Sequence, residues 1–286
     1  MRAIEFFSGI GGWHCAIKGM GYVVSAFDIS QVANDVYSFN FGTSPQVREL
    51  ATISASEIRI LEADTWLMSP PCQPYCRMGK CLDLQDQRSA AFKNLMKVLA
   101  EYPPRRLVLE NVEGFLKSSA FEMLTKLLDR KGMNWSVFTL CPTQFGIPNR
   151  RPRVFVVAGA DGVKGNPLPD LEPGPLSDYL DDNEDGSLYL SDEIITRHSP
   201  GLDIVTSASC RSACFIGGYG KRLVGSGSFL KTPAGIRRFS PGEISRLMGF
   251  PPQFRFPNGI SVNNQFKLLG NSLNLVVAEW VLKQIN

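Results

Sequence analysis

The chain has 286 residues, 44% hydrophobic and 20% charged, ordinary proportions for a soluble globular protein long enough to bury a real core in one domain or two unequal ones. No apolar run is long enough to span a bilayer, and the start, Met1 to Phe7, carries Arg2 and Glu5 and reads as a strand, not a secretion signal. Seven cysteines without such a signal favour a reducing compartment, the cytoplasm and also the nucleus, over a disulfide framework, while a formal charge of +3 is only a weak pointer to an anionic partner.

Residues 3–7 form a short apolar strand, followed by Gly9, Gly11 and Gly12 and a helix over 13–20. A second strand covers 22–28 and a second helix 32–39. The strand at 63–68 stops at Ser69-Pro70-Pro71, where proline ends regular pairing. A helix over 89–100, a buried strand at 106–109, a helix over 120–130 and strands at 135–140 and 154–158 follow. This alternation predicts an α/β fold, a mostly parallel sheet with helices on both faces. It fails after Ala158: residues 159–192 are rich in Gly, Pro and Asp and read as irregular, and 206–231 suggest a small irregular or β-rich module. Ser240-Pro241-Gly242-Glu243 is a helix start with a cap, a proline at the first position and a closing glutamate. A last helix spans 274–284. The domain boundaries expected from this pattern are 1–159 with 258–286, and 160–257 between them.

Charge is uneven. From Asp170 to Glu193 there are acidic residues and no Lys or Arg, whereas Arg211, Lys221, Arg222, Lys231, Arg237, Arg238 and Arg246 follow within a short span. This is either a surface that tracks a phosphate backbone or a solvated face beside an acidic loop.

Phe6-Phe7-Ser8-Gly9-Ile10-Gly11-Gly12 links the first strand to the first helix, where glycine lets backbone approach a ligand. In open α/β sheets ligands bind beyond the carboxyl ends of strands. Asp28 ends the second strand, where a carboxylate can accept from both hydroxyls of a ribose. The loop alone also fits a tight turn or a dinucleotide, and the phosphate-cradling GxxxxGK[ST] pattern is absent. Ser69-Pro70-Pro71-Cys72-Gln73-Pro74 follows another strand directly, and its prolines leave the loop few conformations. A lone cysteine there would be structural. Glu110-Asn111-Val112 at the end of a further strand and Asn149-Arg150-Arg151-Pro152-Arg153 before the last one add a carboxyl and guanidinium groups at one sheet edge, which turns Cys72 into a candidate nucleophile.

With those residues assembled, the chain resembles the cytosine-C5 methyltransferase family. The cofactor loop, Pro70-Pro71-Cys72-Gln73, Glu110-Asn111-Val112, a QxRxR-like Asn149, Arg151 and Arg153, and Gly270-Asn271-Ser272 occur in the family's order, over nearly the whole chain except about 159–203. A finer likeness is to the type-2 homologues, the tRNA-aspartate subfamily, through Cys214-Phe215-Ile216-Gly217-Gly218-Tyr219 and Gly249-Phe250-Pro251-Pro252. Ile216 stands where that subfamily has threonine, which removes a hydroxyl, and the stretch after Ala158 is short.

The resemblance implies a Rossmann-like S-adenosylmethionine-dependent methyltransferase fold with a small target-recognition domain. It implies S-adenosylmethionine as methyl donor and S-adenosylhomocysteine as product, held by Phe7, Ser8, Gly9, Ile10, Gly11, Gly12, Asp28, Ile29, Ile53, Ser69, Pro71, Asn271 and Ser272, the last two closing over the cofactor. Cys72 would add to cytosine C6, Glu110 would bond N3 and the exocyclic amine, Arg153 would bond O2, and Arg151 would support the loop or the nucleophile. Gln73, Asn111, Cys214, Tyr219, Lys221 and Arg222 would contact the substrate, with Tyr219 alternatively a core aromatic. The implied substrate is tRNA at cytosine 38 of the anticodon loop, with DNA as the weaker alternative. A monomer without metal or membrane contact is expected. A redox or metal protein built on Cys72, Cys76 and Cys81 is disfavoured by spacing that is not a zinc pair repeat, although Cys76 could be a spectator or pair with Cys72. A catalytically dead binding protein is disfavoured by the intact Cys72, Glu110 and Arg153.

Overall fold

A computed structural model describes residues 1–75, 82–169, 171–182 and 185–285. Cys76, Cys81 and Asp170 lie outside the described residues. The chain divides into two compact units, the first Met1–Leu140, Pro152–Pro167 and Ala278–Asn286, the second Cys141–Arg151 and Leu168–Val277. This division differs from the boundaries expected from sequence. Residues 141–151 belong to the second unit because Asn149, Arg150 and Arg151 bond to residues 212–215. Residues 258–277 belong there too, where the Asn274 side chain donates to Leu247 O.

In the first unit, β1 (Arg2–Phe6), β2 (Tyr22–Phe27), β3 (Thr65–Met68), β4 (Arg106–Asn111), β5 (Asn134–Leu140) and β6 (Arg153–Gly159) form one sheet in the order β2-β1-β3-β4-β6-β5. The pairs β1–β2, β1–β3 and β3–β4 are parallel, while β6 runs antiparallel to both β4 and β5. The sheet is therefore mostly parallel, as expected, with one reversed strand. The chain winds outward from β1 in one direction to β2 and in the other to β3 and β4. That makes the carboxyl ends of β1 and β3 the switch point where such sheets bind ligands.

Helices α1 (Gly12–Ala16), α2 (Gln31–Phe41), α3 (Ala55–Arg59), α4 (Ala90–Glu101) and α5 (Ser119–Arg130) connect the strands. Alternate residues of the parallel strands share a face. Ile4, Phe6, Trp66, Met68, Leu107 and Leu109 pack in one buried cluster with Ile58 of α3, Phe92, Leu95 and Leu99 of α4, and Leu124 and Leu128 of α5. Full burial of each such aliphatic or aromatic side chain is worth about 1.5–3 kcal/mol. Glu5 lies on the opposite face, where it meets Trp13 and Tyr37 of α1 and α2. Helix α1 is shorter than the expected 13–20 because Gly19 takes a left-handed conformation (φ +84°) and turns the chain toward β2.

In the second unit, α6 (Asp192–His198) precedes β7 (Asp203–Val205), β8 (Ser228–Thr232) and β9 (Gly235–Arg238), which make a three-stranded sheet. Helices α7 (Pro241–Leu247) and α8 (Val262–Gly270) follow. The cap at Ser240 forms as expected: Glu243 N–H donates to Ser240 Oγ at 3.1 Å, and Ser240 N–H donates to Glu243 Oε2 at 2.7 Å. Glu243 also forms a fully buried ion pair with Arg237 at 2.7 Å, tying β9 to the start of α7. Helix α9 (Leu275–Leu282) carries the chain back into the first unit, where Trp280 meets Phe138 of β5 edge-to-face at 5.3 Å.

Candidate active site

The loop after β1 is built from unusual backbone. Phe7, Gly9 and Gly11 have φ of 57°, 52° and 85°. Glycine is required at Gly11 on two counts, since a Cβ there would also lie 2.2 Å from the Phe41 ring. Asp28, expected to accept from the hydroxyls of a ribose, also bonds within the protein. Its Oδ2 accepts from Gly9 N–H at 2.8 Å and its Oδ1 from Ser30 N–H at 2.8 Å. A carboxylate has about four lone-pair positions, so Asp28 can shape the loop and still accept from a ligand. Beside it Ile29 is 67% exposed, an apolar side chain open to solvent. Ser8 Oγ is buried and has no hydrogen-bond partner among the described residues. Ile10 and Gly12 are buried within the loop, whereas Ile53 is 3% exposed in the core cluster with α4.

The Pro70-Pro71-Cys72 loop leaves β3 beside this one. Trp13 Nε1–H donates to Ser69 Oγ at 3.0 Å, joining the two loops. Asn111 was expected to touch substrate. It is 1% exposed, and its Nδ2 donates to Pro70 O at 3.0 Å while Oδ1 accepts from Val112 N–H at 2.9 Å. It holds the Pro70-Pro71-Cys72 loop in place. Past Cys72, Tyr75 N–H donates to Cys72 O at 2.9 Å, and the Tyr75 ring is buried against Phe115 at 5.1 Å. Gly114 passes so close that a Cβ would lie 2.2 Å from Tyr75 O. Cys72 and Pro71 are half-buried and Gln73 is exposed.

Because β6 runs antiparallel to β4, its first residue stands where β4 ends, with Asn111 opposite Val154. This brings Arg153 Nε to 3.2 Å from Glu110 Oε1, both largely shielded from solvent. Arg153 Nη1 also donates to Pro152 O at 2.7 Å. In register terms, Met68 pairs with Leu109, so the Cys72 loop and the Glu110–Arg153 pair leave the same sheet edge.

Arg151 behaves differently from Arg153. Within the second unit it is 2% exposed, and Nη1 donates to Phe215 O at 3.0 Å and lies 3.3 Å from Cys214 Sγ. Nη2 donates to Gly270 O at 3.0 Å and to Ser272 O. Arg151 therefore fastens the half-buried Cys214 segment to the Gly270–Ser272 turn. Those two stretches touch backbone to backbone, since a Cβ on Gly270 would lie 2.3 Å from Gly217 N and from the Ile216 carbonyl carbon. Asn149 is 1% exposed and donates to Ser212 Oγ and Ala213 O. Asn271 is exposed and Ser272 half-buried.

Tyr219, expected either among the substrate contacts or as a core aromatic, is core. It is 0% exposed, its hydroxyl donates to Ser228 O at 2.6 Å and accepts from Phe239 N–H at 2.9 Å, and its ring packs on Phe215, Phe229 and Phe266. Burial pushes its phenol pKa up, out of reach of ordinary pH. Of the cations in this stretch, Arg211, Arg237 and Arg246 pair with Asp203, Glu243 and Asp181, and the half-buried Arg238 lies over the Phe229 ring. Lys221, Arg222 and Lys231 are exposed and, among the described residues, in no ion pair.

A thiol loop, a carboxyl–guanidinium pair and a glycine-bent loop at one sheet edge match a known pattern. Residues 1–201 and 203–286 fit the family described as C-5 cytosine-specific DNA methylase. The chain belongs to this family. A human protein named tRNA (cytosine(38)-C(5))-methyltransferase is 30% identical over 387 aligned positions, covering 99% of this chain and 98% of the human one. A Dictyostelium discoideum protein named DNA (cytosine-5)-methyltransferase is 32% identical, covering 99% and 93%. The solved Entamoeba histolytica methyltransferase EhMeth superposes with a TM-score of 0.93 at 30% identity, covering 99% and 97%.

As a C5 methyltransferase the chain is an enzyme of a family that takes its methyl group from S-adenosylmethionine. The residues fit that cofactor. An unsatisfied buried hydroxyl on Ser8, a loop bent by three left-handed residues, the Asp28 carboxylate and the bare Ile29 side chain supply polar and apolar groups on one rim. The sequence reading overlooked Tyr75 and Gly114, which hold the nucleophile loop from behind. Their only sequence trace was an aromatic and a glycine in separate loops.

Proposed function

We propose that the chain methylates C5 of cytosine in tRNA, at cytosine 38 of the anticodon loop, with S-adenosylmethionine as donor and Cys72 as nucleophile. The observation that carries the chemistry is the Glu110–Arg153 pair, 3.2 Å apart, at the edge from which the Cys72 loop leaves. On cytosine's pairing edge the exocyclic amine donates, N3 accepts a proton and O2 accepts. A carboxyl beside a guanidinium reads that order, and a uracil would turn its O4 acceptor toward the carboxylate.

The Cys72 thiolate adds to C6, and the electron pair of the C5–C6 bond moves into the ring as Glu110 shares a proton with N3. Arg153 balances charge at O2. S-adenosylmethionine, when bound, would supply an electrophilic methyl sulfonium, so that C5 gains the methyl as the sulfur–methyl bond breaks and neutral S-adenosylhomocysteine is left. The C5 proton then leaves to a base, water being sufficient, the ring double bond re-forms and the thiolate departs. Asn111 and Tyr75 hold Cys72 through the loop backbone, and Arg151 holds the second unit's loops without touching the base.

The tRNA assignment is supported by the relative named for that activity and by the likeness at Cys214–Tyr219. Bases in RNA loops are already splayed, which lowers the cost of presenting C6 to a thiol. The Dictyostelium relative's name favours DNA as the second reading. Bisulfite sequencing of tRNA incubated with the protein and S-adenosylmethionine, beside a duplex DNA substrate, tests the choice. Conversion resistance at cytosine 38 is expected, and faster turnover on DNA would overturn it.

A further inference from the structure

Glu5 is a carboxyl that none of this chemistry uses. It sits inside β1 at 0% exposure, where a polar group without a role is costly. Its Oε1 accepts from Trp13 N–H at 3.1 Å, and the His14 N–H bonds to the same carboxyl. These are the first amides of α1, at the end of the Phe7–Gly12 loop. Its Oε2 lies 3.3 Å from the Tyr37 hydroxyl, which lies 2.6 Å from His14 Nδ1. The half-buried His14 ring stacks on Phe41 at 4.0 Å, the same ring that leaves room only for glycine at Gly11. A continuous row of carboxyl, phenol and imidazole thus runs from beneath the loop to a partly exposed ring.

The row has two self-consistent proton arrangements. With Glu5 protonated, its carboxyl donates to Tyr37, the phenol donates to His14 Nδ1, and the imidazole proton is on Nε2. With Glu5 ionised, the phenol donates to Glu5, His14 Nδ1–H donates to the phenol oxygen, and Nε2 is bare. Passing from the first to the second moves the Glu5 proton to Tyr37 and the Tyr37 proton to Nδ1, and one proton leaves to solvent from Nε2. All intermediate groups stay neutral.

We infer that Glu5 is a positioning residue for the cofactor loop, that Tyr37 and His14 carry its proton to solvent, and that cofactor binding is coupled to its ionisation. The inference rests on the reading that this loop holds S-adenosylmethionine. The ionised carboxylate accepts charge-assisted bonds from the Trp13 and His14 amides and fixes the loop's end. It also places negative charge beneath a site for a sulfonium cation. Burial pushes the Glu5 carboxyl up to about 8, against the lowering effect of Trp13, Tyr37 and His14. Asp28, at the end of β2, adds a small upward push. Burial lowers the His14 pKa, so the imidazole is neutral in this range. The remaining titratable neighbour, Cys15 of α1, is pushed up to about 12 by burial and by Glu5 and stays a thiol, with Lys18 lowering and Glu279 raising it.

Calorimetric titration of S-adenosylmethionine into the full chain, from about pH 6 to about pH 9.5 in buffers of different protonation enthalpy, reads this coupling directly. Expected are release of up to about half a proton per cofactor bound, greatest near the inflection, and a Kd that tightens about tenfold as pH rises to the plateau. Glu5→Gln should bind with a flat pH profile and no proton release. Tyr37→Phe removes a donor to the anion and should move the inflection to higher pH. A wild-type Kd independent of pH with no proton release, a measurement that needs no variant, would overturn the proposal, as would a pH dependence unchanged in Glu5→Gln. Absence of binding at every pH would instead sink the cofactor reading on which it rests.

Discussion

A thiol in a turn is ordinary; what distinguishes Cys72 is that the groups around it are held by other residues. Cys72→Ala should lower methylation at least about a thousandfold while leaving the S-adenosylmethionine Kd within about twofold, read by single-turnover assay and calorimetry. Arg153→Lys keeps the charge and loses the planar fork that meets Glu110 and, in the proposed mechanism, a base oxygen, so kcat/KM for tRNA should fall about ten- to hundredfold. Arg151→Lys should act through the fold, since Arg151 serves carbonyls of Phe215, Gly270 and Ser272 that one ammonium cannot reach together. Glu5 makes a stability statement of its own. Its pKa is raised on folding from 4.5 to about 8, so the stabilisation it gives at low pH is lost progressively as pH rises through that window. Glu5→Gln should flatten the pH dependence of Tm there and leave the variant more stable than wild type at pH 8 and above, by on the order of a few kcal/mol.

At the scale of elements, what was legible in sequence is what short-range chemistry dictates. The apolar runs of β1, β3 and β4 are read directly, and so is the α7 start, because Ser240, Pro241 and Glu243 each act on the helix's own first turn. The five-residue α3 is too short to show a period, although its Ser54–Glu57 capping box was present to be read. The reversal of β6 has no local signal, since an apolar strand looks alike in either direction, yet it is what sets Arg153 against Glu110. Tyr219 was left open between substrate contact and core for a similar reason: the residues that bury it, Phe229, Phe239 and Phe266, are distant in sequence. Gly114 is the test case for support at a distance. An added methyl would meet backbone, not a flexible side chain, 2.2 Å from Tyr75 O. Gly114→Ala should therefore cost about 1–3 kcal/mol and lower kcat more than it raises the KM for S-adenosylmethionine, because it displaces the turn behind Cys72.

At the scale of the whole molecule, the chain is shorter than its alignment to a family member. Alignment to the human relative extends over 387 positions against 286 residues here, so it opens gaps in this chain. RNA affinity then depends on its cations, and four of the seven basic residues from Arg211 to Arg246 are already committed. Arg211, Arg237 and Arg246 are in ion pairs and Arg238 is partly buried over an aromatic ring. Lys221, Arg222 and Lys231 remain exposed, which decides between the two readings of the charge pattern only if they meet phosphate. Each phosphate contact releases counterion, so log K falls with log salt by about 0.7–0.9 per contact. Lys221→Gln with Arg222→Gln should weaken tRNA binding for every tRNA sequence alike and reduce that slope by about 1.5, with kcat at saturating tRNA nearly unchanged. An unchanged slope would make these residues a solvated face, and grip on the substrate would have to come from elsewhere in the chain.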